Sequence, residues 1–234
     1  GGIQLNHYRG IDPKDLWLLS EVRFQNSKTF YEEKKPQIKE KILRPMADLI
    51  TDLSEDFLKL DPMIQIDPKK MISRVRRDTR FTKDKMMYRE NLWFCFMRPK
   101  TTWPVLPAMW FEIEPDGYTY GVGCWGQTPG WMEQFRRHLL AQPQRFREAL
   151  ETLTKAGYII DGEDYKKAKP GNPPEDLIPC YQKRYLSFLR KNPNLQELKS
   201  SDLPEYLREK YRQAHAMYRF LADVSEQYAQ QLIG

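Results

Sequence analysis

The chain has 234 residues, a length usual for one domain, and 40% of them are hydrophobic and 30% charged. This composition supplies a core beneath a well-solvated surface and argues against extended disorder. No apolar run approaches the roughly 20 residues needed to cross a bilayer, and the N-terminus lacks a signal-peptide pattern. We therefore expect one domain over residues 1–234, cytoplasmic and without a membrane anchor.

Cysteine and histidine give no sign of a metal site or a disulfide framework. The three cysteines, Cys95, Cys124 and Cys180, are widely spaced and form no C-x-x-C pair. The three histidines do not pair at metal-ligand spacing. Motifs of the common hydrolases, kinases and metalloproteases do not occur either. The sequence predicts no metal and no cofactor.

The positive charge of the chain is concentrated in one segment. Between Lys69 and Arg89 there are nine basic and two acidic residues, so this segment alone carries +7. The whole chain carries +6, which leaves the rest of the surface close to neutral. An anionic partner should therefore meet the segment 69–89 first.

The N-terminal part, residues 1–62, is predicted to be helical. Asp12 and Pro13 supply a cap and a first-turn proline for a helix that continues to Asn26, and Ser27 can cap a second helix. From residue 38 to residue 60, apolar side chains recur every three or four positions, which predicts the main helix of this part. Asp-Pro pairs at 61–62 and 67–68 then interrupt the pattern.

Within residues 69–126 the hydrophobic period changes to two, which predicts β-strands. The four predicted strands are residues 71–77, 92–98, 108–114 and 118–124. Pro115-Asp116-Gly117 between the last two is a hairpin signal. Consecutive strands joined by short turns predict an antiparallel sheet.

Residues 129–234 are predicted to be helical with one further strand at 185–190. Helices begin after Pro129 and Pro143, and one long helix spans residues 204–232. Along this helix a seam recurs in steps of four and three: Leu207, Tyr211, Ala214, Tyr218, Leu221, Ser225, Tyr228 and Leu232. The seam packs on its own domain or, alternatively, forms a dimer contact, so we expect a monomer or a homodimer. The predicted fold class is α+β: a central antiparallel sheet with N-terminal helices, helices packed on one face and a long C-terminal helix.

Residues 74–89 have the sequence R-V-R-R-D-T-R-F-T-K-D-K-M-M-Y-R. This stretch resembles the signature of the DUF2461 family, R-x-x-R-D-x-R-F-x-x-D-K-x-P-Y-K, with Met87 in place of the proline and Arg89 in place of the last lysine. Looser likenesses follow in the same order along the chain: Asn26, Phe30 and Tyr31, the glycine-rich strand 121–126, Arg136 and Arg137, and Lys169-Pro170-Gly171. The resemblance implies an α+β fold and no assigned activity.

The residue types of this motif are suited to binding an anion. If residues 71–78 form a strand, arginines lie on both of its faces, since side chains alternate. Guanidinium and ammonium groups that converge after the strand would hold a phosphate or a carboxylate, with Asp78 and Asp84 orienting them. The predicted ligand-binding residues are Arg74, Arg77, Arg80, Lys85 and Tyr88.

Two other functions stay open for the motif. In one, its charges form an ion-pair network that pins the loop and binds nothing, and the chain is a structural or interaction module. In the other, Asp78 or Asp84 is catalytic, which requires a carboxylate that points into a pocket and is not fully occupied by arginine. The partner in the anion-binding hypothesis is a small molecule or, with weaker support, a nucleic acid.

Gly121 and Gly123 belong to a formal G-x-G-x-x-G pattern. The pattern lies in a hairpin strand and does not open a helix, so a dinucleotide fingerprint is not expected. Both glycines fall on one face of the strand, where missing side chains leave a groove or let another element approach closely. The neighbouring tryptophans would offer stacking surfaces for bases or, more simply, fill the core of the sheet.

Overall fold

The computed structural model describes residues 5–234, and its N-terminal part is helical, as the sequence predicts. The Asp12 carboxylate accepts a hydrogen bond from the Lys14 amide and starts a short 3₁₀ helix, Pro13–Leu16. The Ser27 hydroxyl accepts one from the Phe30 amide and starts the second helix. The longer helices of this part are α1 (Trp17–Gln25), α2 (Lys28–Ile38) and α3 (Arg44–Leu60).

A wide π-helical turn, Lys39–Leu43, joins α2 to α3. Within it the Arg44 amide donates to the Lys39 carbonyl, five residues back. Pro45 explains the widening, because a proline has no amide hydrogen for the Lys41 carbonyl and its ring would clash with that carbonyl in a regular turn. The predicted helix over 38–60 is thus continuous but locally widened. Its buried residues are Ile38, Ile42, Met46, Leu49, Ile50, Leu53 and Phe57.

Residues 71–77 do not form the predicted strand. Asp67 caps a single helical turn, α4 (Pro68–Met71), because a carboxylate followed by proline favours a helix start. The chain after this turn is extended, with Val75 buried between two exposed arginines. Two isolated bridges pair it, Ile72 with Phe94 and Arg76 with Tyr88. The alternating pattern therefore predicted extended backbone correctly and a continuous strand wrongly.

Within residues 5–234, five strands form one antiparallel sheet in the order β1-β2-β3-β5-β4. They are β1 (Leu92–Met97), β2 (Leu106–Glu114), β3 (Gly117–Trp125), β4 (Ile159–Asp161) and β5 (Ser187–Asn192). The first three confirm predicted strands, and β5 lies two residues beyond the strand predicted at 185–190. The sequence pattern misses β4, because three residues with both ends exposed give no alternation to recognise. Ile160 pairs with Phe188 in the register of β4 on β5.

The helices after the hairpin are α5 (Pro129–Ala141), α6 (Pro143–Lys155), the short α7 (Ile178–Tyr181), α8 (Leu203–Arg212) and α9 (His215–Ile233). The single helix predicted over 204–232 is wrong in one respect, because it breaks between α8 and α9. There the Ala214 amide bonds to the Tyr211 carbonyl three residues back, which tightens the turn. The long C-terminal helix is confirmed as α9. The seam residues from 207 to 225 are buried, whereas Leu232 is exposed.

Two compact units can be distinguished. The first contains residues up to Cys95, Phe111–Thr119 and Lys191–Arg208, and the buried face of α3 contributes to its core. The second contains Phe96–Trp110, Tyr120–Arg190 and Glu209–Gly234, with packed aromatic rings from α5, α6 and α9. Each unit is made of separate pieces of chain, so the single domain over 1–234 stays a prediction. From residue 5 onward, no helix has both the length and the apolar composition needed to span a membrane.

The space beside Gly121 and Gly123 in β3 is filled. A side chain on Gly121 would overlap the Trp110 ring and come within 2.6 Å of the Phe188 carbonyl oxygen. A Cβ on Gly123 would lie 2.8 Å from the Cβ of Ser187. The glycines therefore let Trp110 and β5 approach β3 closely, which is one of the two consequences expected of them. The alternative, a groove at these glycines, is not formed.

Replacing Gly121 by alanine should lower the free energy of unfolding by about 1–3 kcal/mol, because the new methyl group overpacks a buried position bounded by backbone. Urea denaturation of the wild type and the variant measures the difference. Gly130→Ala is the matched control, since its Cβ would face the movable Tyr228 ring at 3.1 Å near the start of α5. Its effect should stay below about 1 kcal/mol. Equally small effects of the two substitutions would mean that the space beside Gly121 is open.

Candidate functional site

The arginine motif divides into two parts in the structure, and the second part, residues 77–88, is a loop held by charged side chains. Asp84 lies between two arginines. Its carboxylate is 3.0 Å from the guanidinium of Arg77 and 2.9 Å from that of Arg23, which extends from α1. We call Arg23, Arg77 and Asp84 the clasp. The clasp fixes the loop to α1. The interpretation of the motif as a strand does not predict this contact.

Backbone contacts at the end of α1 reinforce the clasp. The Arg23 guanidinium also donates to the Tyr88 carbonyl at 2.9 Å. Asn26 ends α1 in a left-handed conformation, and its side-chain oxygen accepts from the Met87 amide at 2.7 Å. Asn26 is one of the residues that carry the looser family likeness. Sequence reasoning misses Arg23, because nothing but its charge in the last turn of α1 marks it.

Three further charged side chains of the loop, Asp78, Arg80 and Lys85, also have partners within it. The guanidinium of Arg80 lies 2.8 Å from the carboxylate of Asp78, and both side chains are largely exposed. The Lys85 ammonium donates to the Thr79 carbonyl at 2.7 Å. Together with Arg77 in the clasp, three of the predicted ligand-binding residues are thus engaged by the protein itself.

Both carboxylates of the motif are held in their ionised form. Hydrogen bonds from the side chain and the amide of Arg80 lower the pKa of Asp78 to about 2. Hydrogen bonds from Arg23 and the Met86 amide lower the pKa of Asp84 to about 2 as well. Such groups have no proton to donate near neutral pH, and their oxygens accept hydrogen bonds from arginine side chains and, at Asp84, from the Met86 amide, so the geometry favours an ion-pair network in the loop over acid catalysis. Among residues 5–234, no group of three or more His, Cys, Asp or Glu is arranged to hold a metal ion.

The first part of the motif borders a cleft of about 890 Å³. One wall consists of α2, the π-helical turn and the start of α3, and the other consists of α4 and the extended residues 72–76. The volume is in the range of sites that bind small organic ligands, about 300–1,000 Å³. The apolar lining residues are Pro36, Ile38, Leu43, Ala47, Pro68, Ile72 and Val75, and Tyr31 adds an aromatic ring with a hydroxyl group.

Basic side chains surround this apolar lining, and we call the whole the basic cleft. They are Lys35, Lys39, Arg44, Lys69, Arg74 and Arg76. Arg44 is paired at 2.9 Å with Glu40, the acidic residue of the lining. The other five are exposed and form no ion pair with any residue that the structure describes. The cleft therefore carries an excess of positive charge that the protein does not neutralise.

Of the predicted ligand-binding residues, Arg74 lines the basic cleft. Arg76 and Lys69 belong to the same basic segment of the sequence, although the strand interpretation did not select them. Lys35 and Lys39 come from α2 and the π-helical turn, and sequence reasoning misses them because only the packing of α2 beside residues 72–76 brings them to the cleft.

Tyr88 lies behind the wall of the cleft. Its side chain is completely buried, and its ring packs at 4.7 Å on the ring of Tyr31, which lines the cleft. The bridge between Tyr88 and Arg76 holds this arrangement from the other wall. Tyr88 thus supports the lining and is not accessible to a ligand in this geometry.

These features define an α+β fold with an antiparallel sheet and an arginine-rich segment beside a basic cleft. A family model described as "Conserved hypothetical protein (DUF2461)" matches residues 16–220. The chain belongs to this family, as the motif at 74–89 predicts, and the match includes the clasp and every residue that lines the cleft. Neither a curated protein nor a solved structure was found to match it.

Asp84→Asn should lower the free energy of unfolding at neutral pH, because Arg23 and Arg77 lose the charge that they share. The folded protein holds the pKa of Asp84 at about 2, below the ordinary value of 3.8. The stabilisation is therefore complete above pH 3.8 and is lost as the pH falls towards 2, so the difference from the wild type should shrink in that window. Urea denaturation across this pH range measures it.

Asp78→Asn is the comparison variant, since Asp78 pairs with Arg80 two residues away in the same exposed loop. It should destabilise less than Asp84→Asn, and trypsin should cleave the loop sooner only in the Asp84 variant, where the tie to α1 is lost. A pH-independent difference, or equal protease sensitivity of the two variants, would contradict the clasp.

Proposed function

We propose that this protein binds a small anionic ligand in the basic cleft. The observation that carries the proposal is the set of five exposed cations, Lys35, Lys39, Lys69, Arg74 and Arg76, that line one concave site without a counter-charge. Guanidinium groups bind phosphate and carboxylate through paired hydrogen bonds, and lysines add positive potential. An anion is the partner that this set of side chains lacks.

In this proposal the loop at 77–88 is structural. Arg77, Arg80 and Lys85 already bind groups of the protein itself, and Tyr88 is buried, which supports the ion-pair interpretation for this half of the motif. Arg74 is then the residue of the predicted set that binds the ligand. The enzyme alternative receives less support, because the arginines occupy the carboxylates of Asp78 and Asp84.

Nucleic acid is the weaker alternative ligand. Two of the tryptophans that would stack on bases have cations over their rings, Arg98 over Trp103 at 4.4 Å and Lys100 over Trp125 at 4.5 Å. These cations occupy one face of each indole, which leaves less ring surface for a base to stack on. A small anion is the better match to a concave site.

We further propose that the protein acts in the cytoplasm as a monomer or a homodimer. Its cysteines, Cys95, Cys124 and Cys180, are free thiols, which suits a reducing compartment. The burial of most of the C-terminal seam supports the monomer.

The double substitution Arg74→Gln/Arg76→Gln should weaken anion binding at least tenfold. Pyrophosphate, adenosine monophosphate and decyl phosphate are suitable probes, since they share little besides the anion. At least one should raise the thermal midpoint of the wild type, because a ligand that binds only the folded state stabilises it. Each hydrogen bond to a charged group contributes about 1.5–3 kcal/mol, which sets the expected loss of affinity measured by calorimetry.

Arg80→Gln is the control outside the cleft: it makes the same kind of substitution in the same motif and removes one positive charge, against two in the double variant. It should bind the probe as the wild type does. Thermal midpoints without ligand check that all variants are folded. Failure of every probe to bind, or loss of binding in Arg80→Gln with retention in the double variant, would overturn the proposal.

A further inference from the structure

We infer that the ligand of the basic cleft is an anionic amphiphile, a phosphate or carboxylate head on an unbranched apolar chain. This inference rests on the anion binding proposed above and adds the chemical class of the ligand. It follows from what lines the cleft besides the cations, from the order of the side chains along its helical wall, and from the scarcity of uncharged polar groups.

One row of side chains along the helical wall changes from charged to apolar, and the other two charged residues of this wall, Glu40 and Arg44, pair with each other. Four lining residues follow one another at intervals of four: Lys35, Lys39, Leu43 and Ala47. Residues at such spacing share one face of a helix. The first two are cations and the last two are apolar, so the wall offers a place for a charged head at one end and for an apolar chain at the other.

The opposite wall contains both kinds of group as well. Lys69, Arg74 and Arg76 supply cations, while Ile72 and Val75 of the same segment line the cleft with apolar side chains. Burial of an apolar ligand surface against these groups is favourable by the hydrophobic effect. A small hydrated anion such as pyrophosphate would leave the apolar part of both walls without a partner.

Uncharged polar side chains are scarce in the lining. Among the described residues that line the cleft, they are Tyr31 and Ser73. The Ser73 hydroxyl accepts a hydrogen bond from the Trp93 amide at 3.0 Å, and the Ser73 amide donates to the Trp93 carbonyl at 2.8 Å. The polar edge of a nucleobase and the hydroxyl groups of a sugar need amide or hydroxyl partners, because burying a polar group without a hydrogen bond is costly. A plain hydrocarbon chain has no such need.

A series of alkyl phosphates from butyl through hexyl and octyl to decyl phosphate tests the inference by calorimetry, with each compound below its micelle concentration. The dissociation constant should fall about two- to fourfold for each added methylene, because each buried methylene contributes a constant free energy. The dissociation constant should stop falling at the alkyl chain length that fills the apolar end of the cleft. Comparing the affinities of decanoate and decyl phosphate shows whether the cleft prefers a carboxylate or a phosphate head. Decyltrimethylammonium has the same chain and the opposite charge, so it should not bind.

Two variants separate the head from the chain. Ala47→Leu fills the apolar end of the cleft with a larger side chain that is still compatible with a helix. In this variant the dissociation constant should stop falling at a shorter alkyl chain, while butyl phosphate binds as it does to the wild type. Arg74→Gln/Arg76→Gln should weaken every member of the series by a similar factor and leave the dependence on chain length unchanged. Vesicles of phosphatidylglycerol test whether a membrane surface is the source of the head group, since their chains are not free to enter a cleft.

The outcomes distinguish this inference from the proposed function. If adenosine monophosphate or pyrophosphate binds through Arg74 and Arg76 while the alkyl series shows no dependence on length, anion binding stands and the amphiphile is wrong. Binding to vesicles without binding to decyl phosphate also overturns the amphiphile in the cleft. If no anion binds at all, both proposals fail.

Discussion

Arg23 and Arg77 carry the same charge and meet at one point, where Asp84 supplies the counter-charge for both. Without that carboxylate the two guanidinium groups would repel each other, and the loop at 77–88 would be held on α1 only by the hydrogen bonds from Arg23 to the Tyr88 carbonyl and from the Met87 amide to Asn26. The closed loop directs Tyr88 inwards, where it supports Tyr31 in the wall of the cleft. The clasp therefore fixes the position of the extended residues before the loop, and with them one side of the basic cleft.

The charges of the motif fall into two groups that differ in their partners. In the loop, each carboxylate is paired with arginine and accepts a backbone amide as well, and these contacts explain why both stay ionised. Around the cleft, Arg74 and Arg76 have no such partner. Exposed cations several ångströms apart repel one another weakly in water, by about 1 kcal/mol or less for a pair. The fold tolerates these cations without pairing them, which is the basis for proposing an anionic ligand in the cleft.

Local sequence signals predicted most of the fold. Caps at Asp12 and Ser27, the helical period of α3 and the alternation in β1 to β3 all act over a few residues, so they can be recognised without the tertiary structure. The strand prediction at 71–77 is wrong because a β-ladder needs a paired backbone along its whole length. The backbone of this segment pairs with other parts of the chain only at two isolated bridges. The lining of the candidate cleft could be anticipated only in part, because local signals do not show which elements pack side by side. Arg74 lies in the motif, whereas Lys35 and Lys39 reach it through tertiary packing.

The π-helical turn connects the fold to the site. In a regular α-helix each residue turns the chain by 100°, so side chains spaced by four drift by about 40° per step and leave a common face after a few steps. Two rows in this region have that spacing: the core row Ile38, Ile42 and Met46, and the cleft row Lys35, Lys39, Leu43 and Ala47. The π-helical turn at 39–43 is part of both rows. Because it is wider than an α-helical turn, it removes part of this drift and keeps each row on one face. Pro45, which makes a regular turn unfavourable, therefore helps to hold the cationic and the apolar ends of the cleft wall on one line.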